Sequence, residues 1–338
     1  MSTQHRPRAT LKTIAEMTGL SLSTVSLSLR DGNKLKKSTN DRVALAAEQL
    51  GYVPNRAGVR LRTGRTNVLS LVLSADESSL DFTRSLIHGI GTELRNTRFH
   101  LNVVPEFDPN DPIASIKYVV ENQTADGIIL THTSARDTRV QLLLDADFPF
   151  VSHGRTEFYS QHPFHDFPAE NLIELSVARL LKKNRKKLLL VAIDNGTTYY
   201  SIAINSFNRS IAEAGAHGDV LNDTQVLATT QSVREFAHSL ADASSPYDGI
   251  ICNSELTALA IIGGLQDRNR TLGHDYDLIC RQTSEILPLL HPTIDTIAED
   301  LRNTGSELAR LLLMRLEGAT VTDLQTLHDP VIHWRSPD

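Results

Sequence analysis

Thr10-Leu11-Lys12-Thr13-Ile14-Ala15, followed by Gly19-Leu20-Ser21-Leu22-Ser23-Thr24-Val25-Ser26, is the stretch whose reading decides the fold. Leu11, Ile14, Ala15 and Thr18 fall at helical spacing, and Gly19 stops that helix. Ser21 is placed to cap a second helix, in which Val25 and Leu29 face a core before Asp31-Gly32 turns the chain. A third helix is predicted over 39–50, with Val43, Ala46, Ala47 and Leu50 on one face. Two helices joined by a tight glycine turn and braced by a third predict a helix-turn-helix unit.

Charge supports that reading. Residues 1–66 carry twelve Arg and Lys against four Asp and Glu, a net of +8, so the rest of the chain carries −14 of the overall −6. A cationic head on an anionic body implies that one end seeks a polyanion and the other avoids it. At 338 residues, 40% hydrophobic and 22% charged, the chain suits a small domain plus a larger, bilobed one.

After Thr66 the texture changes. Apolar runs at 68–73, 100–104, 127–130, 148–151, 188–193, 249–252 and 278–280 read as buried strands. Between them, amphipathic helices are predicted at 82–96, 113–122, 171–183, 201–214, 233–243, 256–268 and 301–316. Alternation of this kind implies parallel sheets covered by helices, and about nine strands suit two similar lobes. Ligands of open parallel sheets sit at the carboxyl ends of the strands, so two facing lobes would hold one in their cleft.

Several chemistries find no support. His162-Pro163-Phe164-His165 with Asp166 is a poor metal motif, because Pro163 breaks helical presentation. No phosphate-cradling glycine loop and no Ser/His/Asp set at recognisable spacing is present, so neither an enzyme nor a cofactor is expected. Cys252 and Cys280 each close an apolar run and read as buried thiols. Residues 1–12 are polar and no stretch reaches membrane-spanning length, so the expected location is the cytoplasm.

With Gly51-Tyr52-Val53-Pro54-Asn55 and Leu61-Arg62-Thr63-Gly64-Arg65-Thr66 added, the head resembles the LacI/GalR family of bacterial repressors. Fainter landmarks follow in Ala125-Asp126-Gly127-Ile128-Ile129, in Gly305 with Ala309 and Leu312, and in Pro330-Val331-Ile332-His333-Trp334-Arg335-Ser336. The resemblance implies a DNA-binding domain at 1–66 with a hinge helix at about 55–63, and an effector-binding and dimerisation domain at 67–338. That body would be similar to type I periplasmic sugar-binding proteins, with an N-lobe of about 67–164 and 296–323 and a C-lobe of about 165–290 and 324–338. The implied function is ligand-responsive control of transcription, as a repressor governed by a small sugar-like effector. The implied partners are a pseudo-palindromic operator and a second copy of the chain, with no membrane. The leucine heptad segment of tetrameric members has no counterpart before Asp338, which favours a dimer.

On the recognition helix, Leu22, Ser23 and Leu27 would face base edges, while Ser21, Thr24, Ser26 and Thr10 meet phosphates. The family commonly has Arg where this chain has Leu27, so the readout is expected to lean on thymine methyls. Asn55, Arg56 and Leu61 match the minor-groove hinge, with Leu61 the wedge between base pairs. For the effector, strand-end residues are expected: Ser74, His132, His153 and Arg155 from one lobe, Tyr199, Tyr200, Ser254, Glu255 and Gln282 from the other, and Glu299 at the crossover. Gln282 stands where the family usually has Asp, and Ser254-Glu255 where it has Asn-Asp, so the resemblance implies no particular sugar. A non-exported solute-binding protein and a sugar-acting α/β enzyme are the alternatives.

Overall fold

Thr10 and Gly19 bracket the first helix of the head. In the computed structural model, which describes residues 9–30, 34–52, 60, 63–74, 82–106, 111–158, 161–242 and 247–337, helix α1 runs Leu11–Thr18. Thr10 Oγ1 accepts from the Thr13 amide while Thr13 Oγ1 accepts from the Thr10 amide, a reciprocal cap. Gly19 closes the helix at φ 64°, a left-handed conformation that costs glycine little and any other residue strain. Helix α2, Leu22–Arg30, follows, with Ser21 Oγ accepting from the Thr24 amide at 3.1 Å. Helix α3, Lys37–Gln49, completes the unit.

Ile14, Val25, Val43 and Ala46 are the buried centre, with Leu11, Ala15, Leu20, Ala47 and Tyr52 packed around them. Two expected core residues stand outside. Leu29 is 38% exposed, because Ser28 takes the inward position and donates to Asn40 Oδ1 on α3 at 2.8 Å. Leu50 is 37% exposed because it caps α3 beyond its last packed turn. The expected hinge residues Asn55, Arg56 and Leu61 lie outside the described residues.

The chain divides into two compact units, Met1–Thr66 and Asn67–Asp338. Among the described residues the second holds two six-stranded sheets. The first contains β1 Val68–Ser74, β2 His100–Glu106, β3 Gly127–Leu130, β4 Phe150–His153, β5 Phe164–Asp166 and β11 Gln325–Leu327, ordered β11-β5-β4-β3-β1-β2. The second contains β6 Lys187–Val191, β7 His217–Leu221, β8 Gly249–Cys252, β9 Asp277–Gln282, β10 Asp295–Ala298 and β12 Val331–His333, ordered β12-β10-β9-β8-β6-β7. All neighbours are parallel except β10 and β12.

Helices cover the sheets. Those of the first lobe are α4 Phe82–Leu94, α5 Ala114–Asn122, α6 Thr138–Asp145 and, from late in the chain, α12 Leu301–Leu316. Those of the second are α7 Ala169–Lys182, α8 Thr198–Ala214, α9 Thr230–Asp242, α10 Glu255–Asp267 and the short α11 Ile286–Leu290. Helices α4 and α12 approach so closely that a Cβ on Gly89 would meet the Arg302 carbonyl, and one on Gly305 the Leu86 carbonyl at 2.3 Å.

The chain passes between the sheets three times: after Asp166, after Ala298 and after Leu327. The sheets therefore depart slightly from the expected lobe limits. Residues 165–166 and 325–327 pair in the first sheet, and 296–298 in the second. Strands of three or four residues have no periodicity of their own; their hydrogen-bonding neighbours decide which sheet takes them.

Candidate functional site

The carboxyl ends of both sets of strands face one cleft of about 1020 Å³, open at its mouth. Phe82, His132, Thr133, His153, Gly154 and Asp166 line it from the first lobe. Phe167, Val191, Ile193, Asn195, Thr197, Tyr199, Tyr200, Asn253, Ser254, Glu255, Thr257, Arg281 and Thr283 line it from the second.

The first wall is held from behind. His132, in the loop after β3, has φ 54°. Buried Arg139 fixes that loop, its Nη2 donating to the carbonyls of Thr131 at 3.1 Å and His132 at 3.0 Å. Asp137 and Glu106 pair with Arg139 in turn. Burial raises the Asp137 carboxyl, but the hydrogen bonds and charge of Arg139 outweigh it and hold the group below its usual range. The Phe82 ring lies 5.1 Å from that of His132 and 5.5 Å from that of His153, so the wall is largely aromatic.

At the crossover, Glu299 joins the walls. Its side chain is fully buried; Oε1 meets His153 Nε2 at 3.0 Å, and Oε2 accepts from Arg281 Nε at 2.9 Å and from Arg281 Nη2. Burial alone would raise this carboxyl, but the Arg281 charge and the His153 hydrogen bond hold it well below the ordinary carboxylate range. The guanidinium centre of Arg281 lies 5.2 Å from the Phe167 ring and 4.8 Å from that of Tyr199.

Two buried polar atoms on lining residues have no hydrogen-bond partner: Tyr199 Oη and Asn253 Oδ1. An orphaned buried polar atom costs about 1–3 kcal/mol, so such atoms at a cleft mark a place prepared for a ligand's polar groups. Aromatic faces beside converging polar groups suit a polyhydroxylated molecule with apolar ring faces.

Of the expected effector residues, His132, His153, Tyr200 and Glu255 reach the lining, as do Tyr199 and Ser254. The Tyr200 hydroxyl accepts from Asn222 at 3.1 Å. Glu255 accepts from Thr283 Oγ1 at 2.9 Å and Ser284 Oγ at 3.2 Å, and burial pushes its carboxyl up. Three expectations need correction. Arg155 stands one shell back, donating from Nε to Asp166 Oδ2 at 2.5 Å and from Nη2 to Glu170. Gln282 turns into the sheet, where its Oε1 accepts from Thr296 Oγ1 at 2.7 Å. Glu299 acts through His153 and Arg281 rather than lining the cleft itself. The Ser74 side chain lies outside the described residues.

Arg281, one residue from Gln282, is the largest omission. Side chains alternate along a strand, so a shift of one residue exchanges the cleft face for the sheet interior. Phe82, Phe167 and Asn253 were also missed; the first two open helices or crossovers that carry no strand signal, and Asn253 directly follows the β8 run.

In the head, Leu22 is 52% exposed at the start of α2, an apolar side chain with no cover within its own unit. Ser21, Ser23 and Thr24 form a hydroxyl cluster beside it, with Ser21 Oγ 2.8 Å from each of the other two. Thr10 is exposed, Ser26 is half-buried, and Leu27 is half-buried outside the apolar centre.

His162 and His165 are drawn into local hydrogen bonds, His162 Nε2 with Thr156 Oγ1 and His165 Nδ1 with Thr326 Oγ1. Among the described residues no cluster of His, Cys, Asp or Glu is arranged to hold a metal, and no helix is long and apolar enough to cross a membrane. Cys252 and Cys280 are free and buried on neighbouring strands.

Residues 10–55 match the family model described as bacterial regulatory proteins, lacI family, and residues 177–336 that of a periplasmic binding protein-like domain. The chain is 27% identical over 316 residues to the HTH-type transcriptional regulator AglR of Rhizobium meliloti (strain 1021), covering 90% of this chain and 86% of the relative. It is 24% identical over 330 residues to the HTH-type transcriptional regulator CelR of Thermobifida fusca, covering 94% of each. The fold superposes on the Lac repressor bound to ONPG in the repressed state with a TM-score of 0.81 at 17% identity, over 97% of this chain and 99% of that one. It also superposes on a CelR–cellobiose complex at 0.70 and 21% identity, with the same coverage. The chain thus joins a DNA-binding domain of the lacI family of bacterial regulatory proteins to a periplasmic binding protein-like body, and the relatives it matches over most of its length are HTH-type transcriptional regulators.

Proposed function

We propose that this regulator is a cytoplasmic homodimeric repressor that reads a pseudo-palindromic operator and is controlled by a small carbohydrate-like effector in the cleft. The observation that carries the effector reading is the pair of orphaned atoms, Tyr199 Oη and Asn253 Oδ1, set beside the rings of Phe82, Phe167 and Tyr199. A hydroxylated ring would satisfy the polar atoms and stack on the apolar ones, and a CelR regulator of the same fold forms a complex with cellobiose.

The DNA reading rests on the exposed Leu22 beside the Ser21, Ser23 and Thr24 hydroxyls. Leu22 and Leu27 contact thymine methyls, and Ser21, Ser23, Thr24, Ser26 and Thr10 fix register through groove edges and phosphates. Asn55, Arg56 and Leu61 meet the minor groove at the operator centre, with Leu61 the wedge between base pairs. The second copy is supported by apolar surface on and around α11, where Ile286 is 41%, Leu289 78% and Leu290 58% exposed. An effector that favours one lobe arrangement over another shifts the population able to grip DNA.

Fluorescence anisotropy with genomic fragments tests the DNA reading. One fragment should bind tightly at low salt, with log K falling at a slope of about −0.9 per phosphate neutralised. A neutral mono- or disaccharide should raise the melting temperature of the protein and change operator affinity. If no fragment binds at low ionic strength, the regulator reading fails; if fragments bind but no sugar moves the melt, only the carbohydrate reading fails.

A further inference from the structure

We infer that the cleft is built to exclude anions, and that Glu299 enforces this by holding Arg281, the one Arg or Lys of the lining among the described residues, out of reach of a ligand. The inference rests on the cleft being the effector site and names the charge class it accepts: an uncharged, hydroxyl-bearing molecule, not its phosphorylated or carboxylated counterpart.

Among the described residues Arg281 is the only Arg or Lys on the lining. Its Nε and Nη2 both go to Glu299 Oε2, and the rings of Phe167 and Tyr199 lie 5.2 and 4.8 Å from its centre. A guanidinium whose edge is taken by a buried carboxylate has little left for a phosphate, and breaking that pair would strand Glu299 in a side-chain environment with no solvent. The remaining charge is of the wrong sign for an anion. Glu255 lines the cleft and is held by hydroxyls and an amide of Thr283 and Ser284, with no cation in the set. Asp166 also lines it, and Arg155, which pairs with it, stands outside the lining.

The hydrogen-bonding demand points the same way. Asn253 Oδ1 is an acceptor without a donor. A sugar hydroxyl can donate to it without bringing charge; hydrogen phosphate has a single hydrogen to give and brings two negative charges with it. An anion entering here would lose its hydration, meet carboxylates and find an acceptor, three costs with no compensating charge pair.

Inorganic phosphate is the probe, titrated against the full-length protein at fixed ionic strength and pH 8, above the ordinary histidine range. The melting temperature of the wild-type body should not move. In Glu299→Gln the guanidinium is released from its counter-charge, and saturating phosphate should raise the body's melting temperature by about 3 °C. In the double variant Arg281→Gln/Glu299→Gln that gain should vanish, which separates cleft binding from phosphate on the basic head. Wild-type stabilisation that disappears in the double variant overturns the inference, and so does a Glu299→Gln protein indifferent to phosphate. Should Glu299→Gln not fold, the wild-type and double-variant arms still decide. Failure of the carbohydrate reading is a separate outcome, seen when neutral sugars leave the melt unchanged while phosphate behaves as stated here.

Discussion

Strands β9 and β10 lie side by side, and their two ends treat charge in opposite ways. At the amino ends, Asp295 accepts from Arg179 Nε at 2.8 Å, Ser336 Oγ at 2.8 Å and the amides of Arg335 and Ser336, while Asp277 accepts from Lys183 at 2.5 Å and Arg185 at 2.7 Å. That end ties the C-terminal segment to α7 and to the sheet. At the carboxyl ends, Arg281 and Glu299 satisfy each other, but Tyr199 Oη and Asn253 Oδ1 around them are buried without partners. The same residue chemistry therefore serves two purposes. Where the carboxylates are met by cations and amides, the charges fix the fold; where buried polar atoms beside the cleft are left open, the fold accepts a cost that a ligand can remove.

The largest test removes a filled acceptor. Asp295→Ala deletes the carboxylate that accepts from Arg179, whose side chain is 5% exposed, and from Ser336, and breaking a buried pair from one side costs about 3–5 kcal/mol. Urea denaturation should show that loss, and effector affinity of the protein that remains folded should stay within twofold. A loss below about 1 kcal/mol would mean that the amino end is not what secures the sheet.

A smaller test concerns His165, at the end of β5 near the crossover. Its Nε2 is buried without a partner. Burial, with His153 and His328 nearby, lowers its pKa to about 4. A histidine depressed in the folded state takes up its proton first in the unfolded chain, so stability is intact above about pH 6.5 and falls as the pH drops toward 4. The contribution is about 2–3 kcal/mol over that window. Carboxylates such as Glu299, held low in the folded state, add their loss at still lower pH. His165→Gln should flatten the slope between pH 6.5 and 4 in urea melts; an unchanged slope would show that the imidazole titrates elsewhere.

The same contrast explains what the sequence disclosed. The head was legible because its signals are local: Thr10 with Thr13, the left-handed Gly19, and Ile14, Val25, Val43 and Ala46 at helical spacing all act within a few residues of themselves. Leu29 and Leu50 misled because an apolar residue near a helix end cannot announce whether a neighbour such as Ser28 already fills the inward place. In the body, the long buried runs gave their strands away, whereas the half-exposed edge strand His217–Leu221 and the three-residue strands around the crossover did not. The cleft is assembled from seven separate stretches of chain, mostly turns and strand ends, where a single step separates Arg281 from Gln282. No spacing rule fixes that step; only the pairing of β9 with β8 and β10 does.

The finest test asks whether an open end gains stability when its orphan is removed. Tyr199→Phe keeps the ring under the Arg281 guanidinium, 4.8 Å away, and deletes only the hydroxyl. Since that hydroxyl is buried and unpartnered in the empty protein, its loss should leave stability unchanged or raise it by up to about 1 kcal/mol. In the liganded protein the hydroxyl has a partner, so a sugar that binds wild type should bind the variant about five- to tenfold more weakly, as one neutral hydrogen bond implies. The two effects have opposite signs, which no purely structural role for Tyr199 can produce. Isothermal titration and urea melts on the same sample would show it; a variant that loses stability and keeps its affinity would place Tyr199 with the filled end of the sheet and not the open one.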